Sequence, residues 1–249
     1  MDVDFLTFLA IGFLAQLIDG ALGMAFGVIS TTTLLSLGLS PAHASAAVHT
    51  AEVFTTGASA VSHAIHRNIE RALVIRLAVA GSLGAFVGAH VLSNIDGRVV
   101  RPFIAAYLLL LGLSILLKSF RTQPKTDVPP RYTAPLGLVG GFLDAIGGGG
   151  WGPMVTSTLL GAGQAPRVVI GSVNTAEFFV TVTAATTFFI ELGLAPIQAL
   201  LGLTIGGVVA APLGAYLARY VSERPLMIAV GILVIGLAGF QIAKSLSLL

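Results

Sequence analysis

The 249-residue chain contains no cysteine and few charged residues. Without cysteine it cannot form disulfides, bind zinc through thiolates or use thiol chemistry. Only 10% of its residues are charged, against about 25% in globular proteins, whereas 55% are hydrophobic and the mean hydropathy is +0.95. A soluble protein of this composition would aggregate, so the sequence predicts an all-α polytopic membrane protein that lies in the lipid bilayer.

The sequence also lacks the signatures of several other classes. Its net charge of +2 gives no indication of nucleic-acid binding. No Gly-x-x-x-x-Gly-Lys-Ser/Thr motif occurs, so we expect no intrinsic ATP coupling, although a separate ATPase partner stays open. The N-terminus has no basic region of a cleaved signal peptide, which predicts that the first apolar segment is retained. We expect no cofactor.

Apolar segments recur along the chain. They run roughly over 5–38, 42–65, 71–93, 98–118, 133–161, 166–190, 196–219 and 224–247. The one clearly hydrophilic connector, 119–132, contains two consecutive prolines and several charges, which is typical of a linker. The sequence therefore predicts a first repeat over 1–118, a cytoplasmic linker over 119–132 and a second repeat over 133–249.

The two halves contain an internal repeat. Residues 19–56 align with 144–181 at a constant offset of 125, with 15 identities in 38 positions. The matches include aspartate, proline and glutamate, which a shared apolar bias would not align. Each half opens with a segment too long for one crossing, since a helix over 5–38 would measure about 50 Å against a hydrocarbon core of about 30 Å.

The 13 Lys and Arg residues indicate how these long segments fold. If each long segment crosses once, 8 of them lie inside and 5 outside; if each folds back as a hairpin, the halves are inverted and the split becomes 10 to 3. The positive-inside rule favours the second arrangement. We therefore predict inverted repeats, each a glycine-broken helical hairpin plus three transmembrane helices, in the cytoplasmic (inner) membrane. A homo-oligomer stays open.

Glycine-rich breaks interrupt both long segments. Unwound backbone within a membrane is tolerated when it is buried in protein or lines a watery cavity. Helices that restart near Val28 and Pro153 would direct N–H groups and positive dipole ends at that cavity, which favours an anion. The predicted substrate-binding residues are Gly23, Gly27, Thr31, Thr32, Gly148, Gly149, Gly150, Trp151, Gly152, Thr156 and Ser157, with His49 and Asn174 on the following helices. The alternative is close helix packing through small residues.

Four acidic residues lie inside the apolar segments. Glu52 and Glu177 are predicted to couple transport to protons, because an apolar environment favours a neutral carboxyl group that tolerates a neighbouring anion. A cation-ligand role and a structural hydrogen bond are their alternatives. Asp19 and Asp144 open the two breaks, and we interpret them as caps for loop N–H groups, with cation binding as the alternative. No metal site is predicted.

One motif resembles a known family. The run Gly147–Pro153, the following Ala165-Pro166 and the later Asn174, together with the duplication, resemble the TauE/SafE family of sulfite exporters over essentially the whole chain. The first half departs from the usual form, with Gly23-Met24-Ala25-Phe26-Gly27 in place of a glycine cluster followed by proline. The resemblance implies transport of sulfur-containing anions such as sulfite, thiosulfate or organosulfonates across the cytoplasmic membrane.

The leading hypothesis is a secondary transporter for a small anionic substrate, with export coupled to the proton gradient. A rival is a cation or metal carrier that uses Glu52, Glu177 and His49. A channel would show flux without saturation, and an intramembrane enzyme is disfavoured because the acidic residues come in symmetric pairs.

Overall fold

The computed structural model describes residues 5–22, 24–65, 67–120, 130–161, 166–217 and 223–245, and within these ranges the chain is helical and has no strand. The helices of the first half are α1 (Phe5–Leu22), α2 (Phe26–Ser36), α3 (Pro41–Ile65), α4 (Arg71–Asn94) and α5 (Gly97–Lys118). Those of the second half are α6 (Pro130–Gly147), α7 (Ser157–Gly161), α8 (Pro166–Leu192), α9 (Ile197–Leu217) and α10 (Glu223–Ser245). A π-helical turn, Gly152–Thr156, leads into α7.

The outer surface of the helices is apolar. Large side chains such as Ile65, Phe103 and Ile190 are more than 70% exposed. Among the described residues, α4, α5, most of α8 and most of α10 are long and apolar enough to cross a membrane, and α1, α2 and α9 contain shorter apolar stretches. Such a surface is stable in lipid and unstable in water. The prediction of an all-α polytopic membrane protein is confirmed.

Each long first segment is broken where the sequence predicts it. α1 ends at Leu22 and α2 begins at Phe26, while α6 ends at Gly147 and the π-helical turn begins at Gly152. In the second break Gly148 has a φ of +65°, a left-handed conformation that side chains other than glycine rarely adopt. The predicted composition of each half, a broken hairpin and three further helices, is what the structure contains.

The first helix of each half packs against the other half. α1 lies along α9, and α6 lies along α4, which is the repeat equivalent of α9. Glycines permit the close approach, since a Cβ on Gly84 would lie 2.0 Å from the Leu138 carbonyl oxygen and one on Gly206 would lie 2.2 Å from that of Leu9. The exchange of equivalent partners is the packing expected of two units related by a pseudo-two-fold axis.

The equivalent helices α3 and α8 run antiparallel. His49 on α3 faces Phe188 on α8, and further along α3 Thr56 faces Thr181, so residue numbers rise along one helix as they fall along the other. Thr56 and Thr181 are repeat equivalents whose Oγ1 atoms lie 3.5 Å apart, as a pseudo-two-fold axis passing near them would require. α5 and α10 are also antiparallel. Inverted repeats require this relation, although the orientation of each half across the bilayer stays a prediction.

The predicted domain limits also stay a prediction. α5 ends at Lys118, at the predicted end of the first repeat, and α6 begins at Pro130, within the predicted linker 119–132. Residues 121–129 lie outside the described part of the chain.

Candidate functional site

An aspartate holds the loop of each break. Asp19 Oδ1 accepts hydrogen bonds from the backbone N–H groups of residues 25 and 26, with N–O distances of 2.6 and 3.1 Å. Asp144 Oδ1 accepts from residues 150 and 151 at 2.7 and 3.0 Å. Both aspartates thereby satisfy the N–H groups that precede the restarting helix, which have no intrahelical acceptor. These hydrogen bonds are of the kind that the capping interpretation predicts.

The two breaks cross at their glycines. A Cβ on Gly149 would lie 2.3 Å from the backbone nitrogen of Val28, and one on Gly152 would lie 2.5 Å from Met24 Cα. The repeat relates Gly152 to Gly27 and Met24 to Gly149. The two contacts are therefore the two sides of one pseudo-symmetric crossing, at which backbone meets backbone without room for a side chain.

A small cavity lies at this crossing. It is lined by acidic, glycine and apolar residues from both halves: Asp19, Met24, Phe26, Gly27, Val28, Glu52, Thr55, Thr56, Asp144, Gly149, Gly150, Gly152, Pro153 and Glu177. The volume that the centre of a water molecule can reach is about 20 Å³. Since one water needs about 10–15 Å³ on this measure, the cavity holds one or two waters, and a larger ligand requires the breaks to separate.

The structure brings together about half of the predicted site residues. Those that line the cavity are Gly27, Gly149, Gly150 and Gly152 of the breaks, both glutamates and both aspartates. Eight other predicted residues do not line the cavity: Gly148, Thr31, Thr32, Trp151, Thr156, Ser157, His49 and Asn174. Gly23 lies outside the described residues. The predicted carboxyl groups and the loop backbone therefore line the cavity, whereas the predicted hydroxyl donors of α2, the π-helical turn and α7 do not.

Three of the four predicted hydroxyl donors are engaged elsewhere. Thr32 donates to the carbonyl four residues earlier at 2.6 Å, and Ser157 makes the same bond to its own i−4 carbonyl. Thr31 donates across the interface to the Gly148 carbonyl, which ties α2 to the second break. Thr156 Oγ1 is buried and has no partner among the described residues. Ser and Thr in helices commonly return their proton to the preceding turn, so helical spacing alone does not indicate a free donor.

The two aromatic residues of the breaks differ in orientation. The indole of Trp151 is fully buried and turned away from the cavity, where it packs on Gly81 and donates from Nε1 to the Val173 carbonyl at 3.3 Å. Its repeat counterpart Phe26 lines the cavity instead. The Trp151 side chain therefore does not line the cavity, whereas that of Phe26 does, and the predicted role of Trp151 in substrate binding stays a prediction.

His49 lies directly behind Asp144. Its Nε2 is 3.2 Å from Asp144 Oδ2, and its Nδ1 is 2.9 Å from the Ser45 carbonyl oxygen. Ser45 Oγ in turn donates to the Ala145 carbonyl at 2.6 Å, which fixes the end of α6 to α3. Both hydrogen-bonding contacts of the imidazole are buried, since His49 has no exposed surface. His49 therefore contacts the loop aspartate rather than the cavity.

Sequence reasoning missed Tyr107. Its ring covers the second break, so that a Cβ on Gly150 would lie 2.2 Å from the phenolic oxygen and one on Gly147 would clash with the ring. The phenolic oxygen is buried and has no hydrogen-bond partner in the described ranges. Nothing in the spacing of a lone tyrosine on α5 indicates this contact. Thr55 was missed as well, although it adjoins the predicted Glu52 face.

Two cations on α5 secure the short helices of the breaks. Arg101 Nη2 donates to the carbonyls of Leu35 and Leu39, at 3.1 and 2.7 Å, where α2 ends. At the other end of α5, Lys118 Nζ donates to Ser157 Oγ at 2.5 Å. Arg101 lies at the C-terminus of α2, where a cation compensates the exposed carbonyl dipoles. Neither cation lines the cavity.

The described residues contain no group of three or more His, Asp or Glu side chains placed to hold a metal ion. Glu52, Glu177, Asp19 and Asp144 line the cavity, and a cation carrier stays an alternative.

A broken helix in each of two duplicated halves, meeting at a polar cavity inside an apolar bundle, is a layout typical of polytopic membrane transporters. The family model for "Sulfite exporter TauE/SafE" matches residues 8–240, and the chain belongs to this family. It is similar to the "Probable membrane transporter protein YtnM" of Bacillus subtilis (strain 168), with 46% identity over 235 residues that cover 91% of this chain and 78% of the relative. No solved structure matches the chain. The chain is thus a multi-pass membrane transporter.

Proposed function

We propose that the protein is a secondary transporter that exports a small sulfur-containing oxyanion, such as sulfite, thiosulfate or an organosulfonate, across the inner membrane with coupling to the proton gradient. The family and the relative support transport, and the family description supports a sulfur oxyanion. The observation that carries the proposal is the cavity at the crossing of the two breaks.

The cavity offers backbone donors to an anion. Gly27 and Val28 line it and occupy the first turn of α2, where N–H groups have no intrahelical acceptor. The positive end of the α2 dipole lies at the same place. Separation of the breaks would expose these donors, which would supply the anion-binding surface.

The carboxyl groups supply the proton coupling. Four acids line a cavity of one or two waters, and like charges at such range disfavour simultaneous ionisation. Within the described residues Glu52 and Glu177 have no ion-pair partner. An anion therefore binds best when these glutamates carry protons. Proton binding and anion binding are then mutually favourable, so the two move in the same direction, and export occurs where the outward gradient of the anion exceeds the inward gradient of protons.

The test is flux into proteoliposomes that contain the purified protein, with labelled sulfite, thiosulfate and a sulfonate, with and without a pH gradient and from both sides. Saturable flux that the gradient accelerates supports the proposal. Glu177→Gln should abolish the acceleration, whereas Glu191→Gln, on the same helix beside His90, should retain it. The absence of saturable flux for all three anions would overturn the proposal, and loss of flux on addition of divalent metals would favour the cation carrier.

A further inference from the structure

The contact between His49 and Asp144 joins the two halves at one ionisable pair. The histidine comes from α3 of the first half and the aspartate from the end of α6 in the second. The side chains are buried, with 0% and 4% of their surface exposed. No other described residue pair places a histidine against an acid inside the bundle, because the pair of His90 and Glu191 is largely exposed.

The hydrogen-bond partners fix how many protons this pair holds. The Ser45 carbonyl can only accept, and the Ser45 hydroxyl already donates to Ala145, so His49 Nδ1 must carry a hydrogen. One further proton is then needed between Nε2 and Asp144 Oδ2, on either atom. Without it, two lone pairs face each other in a buried site, which is unfavourable. With it, the contact is a hydrogen bond.

The first break lacks such a pair. Asn174 stands at the repeat position of His49 and donates to Ser59 at 3.1 Å instead of contacting Asp19. An asparagine cannot gain or lose a proton in the physiological range. The two otherwise matching breaks therefore differ in whether their aspartate is joined to a second ionisable group.

We propose that His49 and Asp144 share a single exchangeable proton that holds the second glycine loop in place, so that the transporter responds to protons asymmetrically, through this break and not the first. The same carboxyl group binds the loop through Oδ1, which accepts from residues 150 and 151, and binds His49 through Oδ2. Loss of the proton to water in the cavity separates His49 from Asp144 and frees the loop to move. Its return closes the contact again.

Other ionisable groups surround the pair and take part in its charge balance. They are Glu52 on α3, Glu177 on α8, Asp19 on α1 and the Tyr107 phenol on α5. All are acids and none is a cation, so negative charge on any of them favours retention of the shared proton. The ring of Phe188, 6.1 Å from that of His49, lies on the α8 side of the imidazole.

The chain contains its own reporter for this proton. Trp151 is the single tryptophan, and its backbone N–H donates to Oδ1 of the Asp144 carboxyl group, whose Oδ2 contacts His49. Its fluorescence in detergent, without substrate, should therefore show a step in a scan from about pH 4 to about pH 9, which spans carboxyl and imidazole titration. The step should vanish in His49→Asn, which installs the residue of the other half, and remain in His90→Asn.

A second variant separates titration from folding. Asp144→Asn keeps an oxygen for the loop N–H groups but removes the ionisable carboxyl, so it should also abolish the step, with gel filtration and thermal unfolding as checks of fold. An unchanged step in a folded His49→Asn or Asp144→Asn protein would overturn the inference.

The transport arm rests on the proposed function, whereas the fluorescence arm does not. In proteoliposomes His49→Asn should flatten the dependence of sulfite flux on pH. A uniform loss of flux with an unchanged pH profile would mean that His49 is only structural and would overturn the inference, while the proposed function would stand. No flux in the unaltered protein would overturn the proposed function. The fluorescence result would then decide whether His49 and Asp144 share a proton.

Discussion

The two glycine breaks share a backbone frame, their aspartates and the glutamates that face them, but differ in the aromatic and imidazole side chains around it. In both, an aspartate accepts two consecutive N–H groups six and seven residues downstream. In the first break Phe26 faces the cavity, whereas in the second Trp151 faces the helices. Duplication has thus preserved what the backbone requires in a membrane, namely satisfied N–H groups, and left the rest free to change.

The second break has the more elaborate surroundings. His49 and Tyr107 contact it, and their repeat equivalents are Asn174 and the outward-facing Ile232, which is 59% exposed. The first break is secured by Arg101 at the end of its short helix. A histidine and a tyrosine thus contact the loop of the second break, whereas an arginine holds the first break at the end of its short helix.

The largest expected effect concerns the orientation of the halves. The chain has no cysteine, so single cysteines report sidedness without background. Ile95 lies between α4 and α5, and Leu194 lies between α8 and α9. Inverted repeats place both connectors on the external side of the membrane. Ile95→Cys and Leu194→Cys should therefore both react with an impermeant maleimide on intact cells. Glu70→Cys should not react. Opposite behaviour of positions 95 and 194 would show parallel repeats.

Removal of the loop aspartates should be the next largest effect. Asp144→Ala strands two buried N–H groups and the His49 imidazole, for a loss of about 3–5 kcal/mol in the free energy of unfolding. Asp19→Ala strands two N–H groups at a site that is only half-buried, so its loss should be about 1–2 kcal/mol smaller. Denaturant unfolding in detergent measures both. Equal losses would contradict the asymmetry of the two breaks.

At the crossing of the two breaks, the second break should tolerate no side chain at Gly149. Gly149→Ala drives a Cβ into the backbone of Val28, and backbone cannot rotate away, so we expect a loss of about 2–3 kcal/mol. The first half holds Met24 at the equivalent position. Gly236→Ala on α10 has open space and should be neutral or slightly stabilising. Thermal unfolding of both variants tests this, and a stable Gly149→Ala protein would refute the close contact.

The smallest effect belongs to the cation at the end of α2. Arg101→Met removes two hydrogen bonds to C-terminal carbonyls and should cost about 1–2 kcal/mol. Arg98→Met, on the same helix but exposed, should change stability by less than about 0.5 kcal/mol. The equivalent position of the second half holds leucine, so this contact has no counterpart there. Equal losses of unfolding free energy for Arg101→Met and Arg98→Met would show that the Arg101 contact does not distinguish the two breaks.

Much of the fold could be predicted because its signals are local. Hydropathy identifies the apolar segments, and glycine with proline marks the breaks at 19–27 and 144–153. The repeat indicates that the halves correspond, and unpaired acids within apolar segments indicate Glu52 and Glu177 as cavity residues, where the structure places them. Thr31, Thr32 and Ser157 were predicted as free donors and are engaged, because side-chain hydrogen bonds depend on rotamers that spacing does not determine.

The sequence by itself determined the helices, their breaks, the apolar exterior and the symmetric pairs of acids, since composition and short-range pattern decide where a chain can be helical in a membrane. Only the tertiary structure decided which side chains contact each other and which line the cavity. The rotation of each helix about its axis brought Phe26 to the cavity and Trp151 away from it. The packing of α6 against α3 brought Asp144 to His49, 95 residues earlier in the chain, because a contact between halves depends on how whole helices fit together.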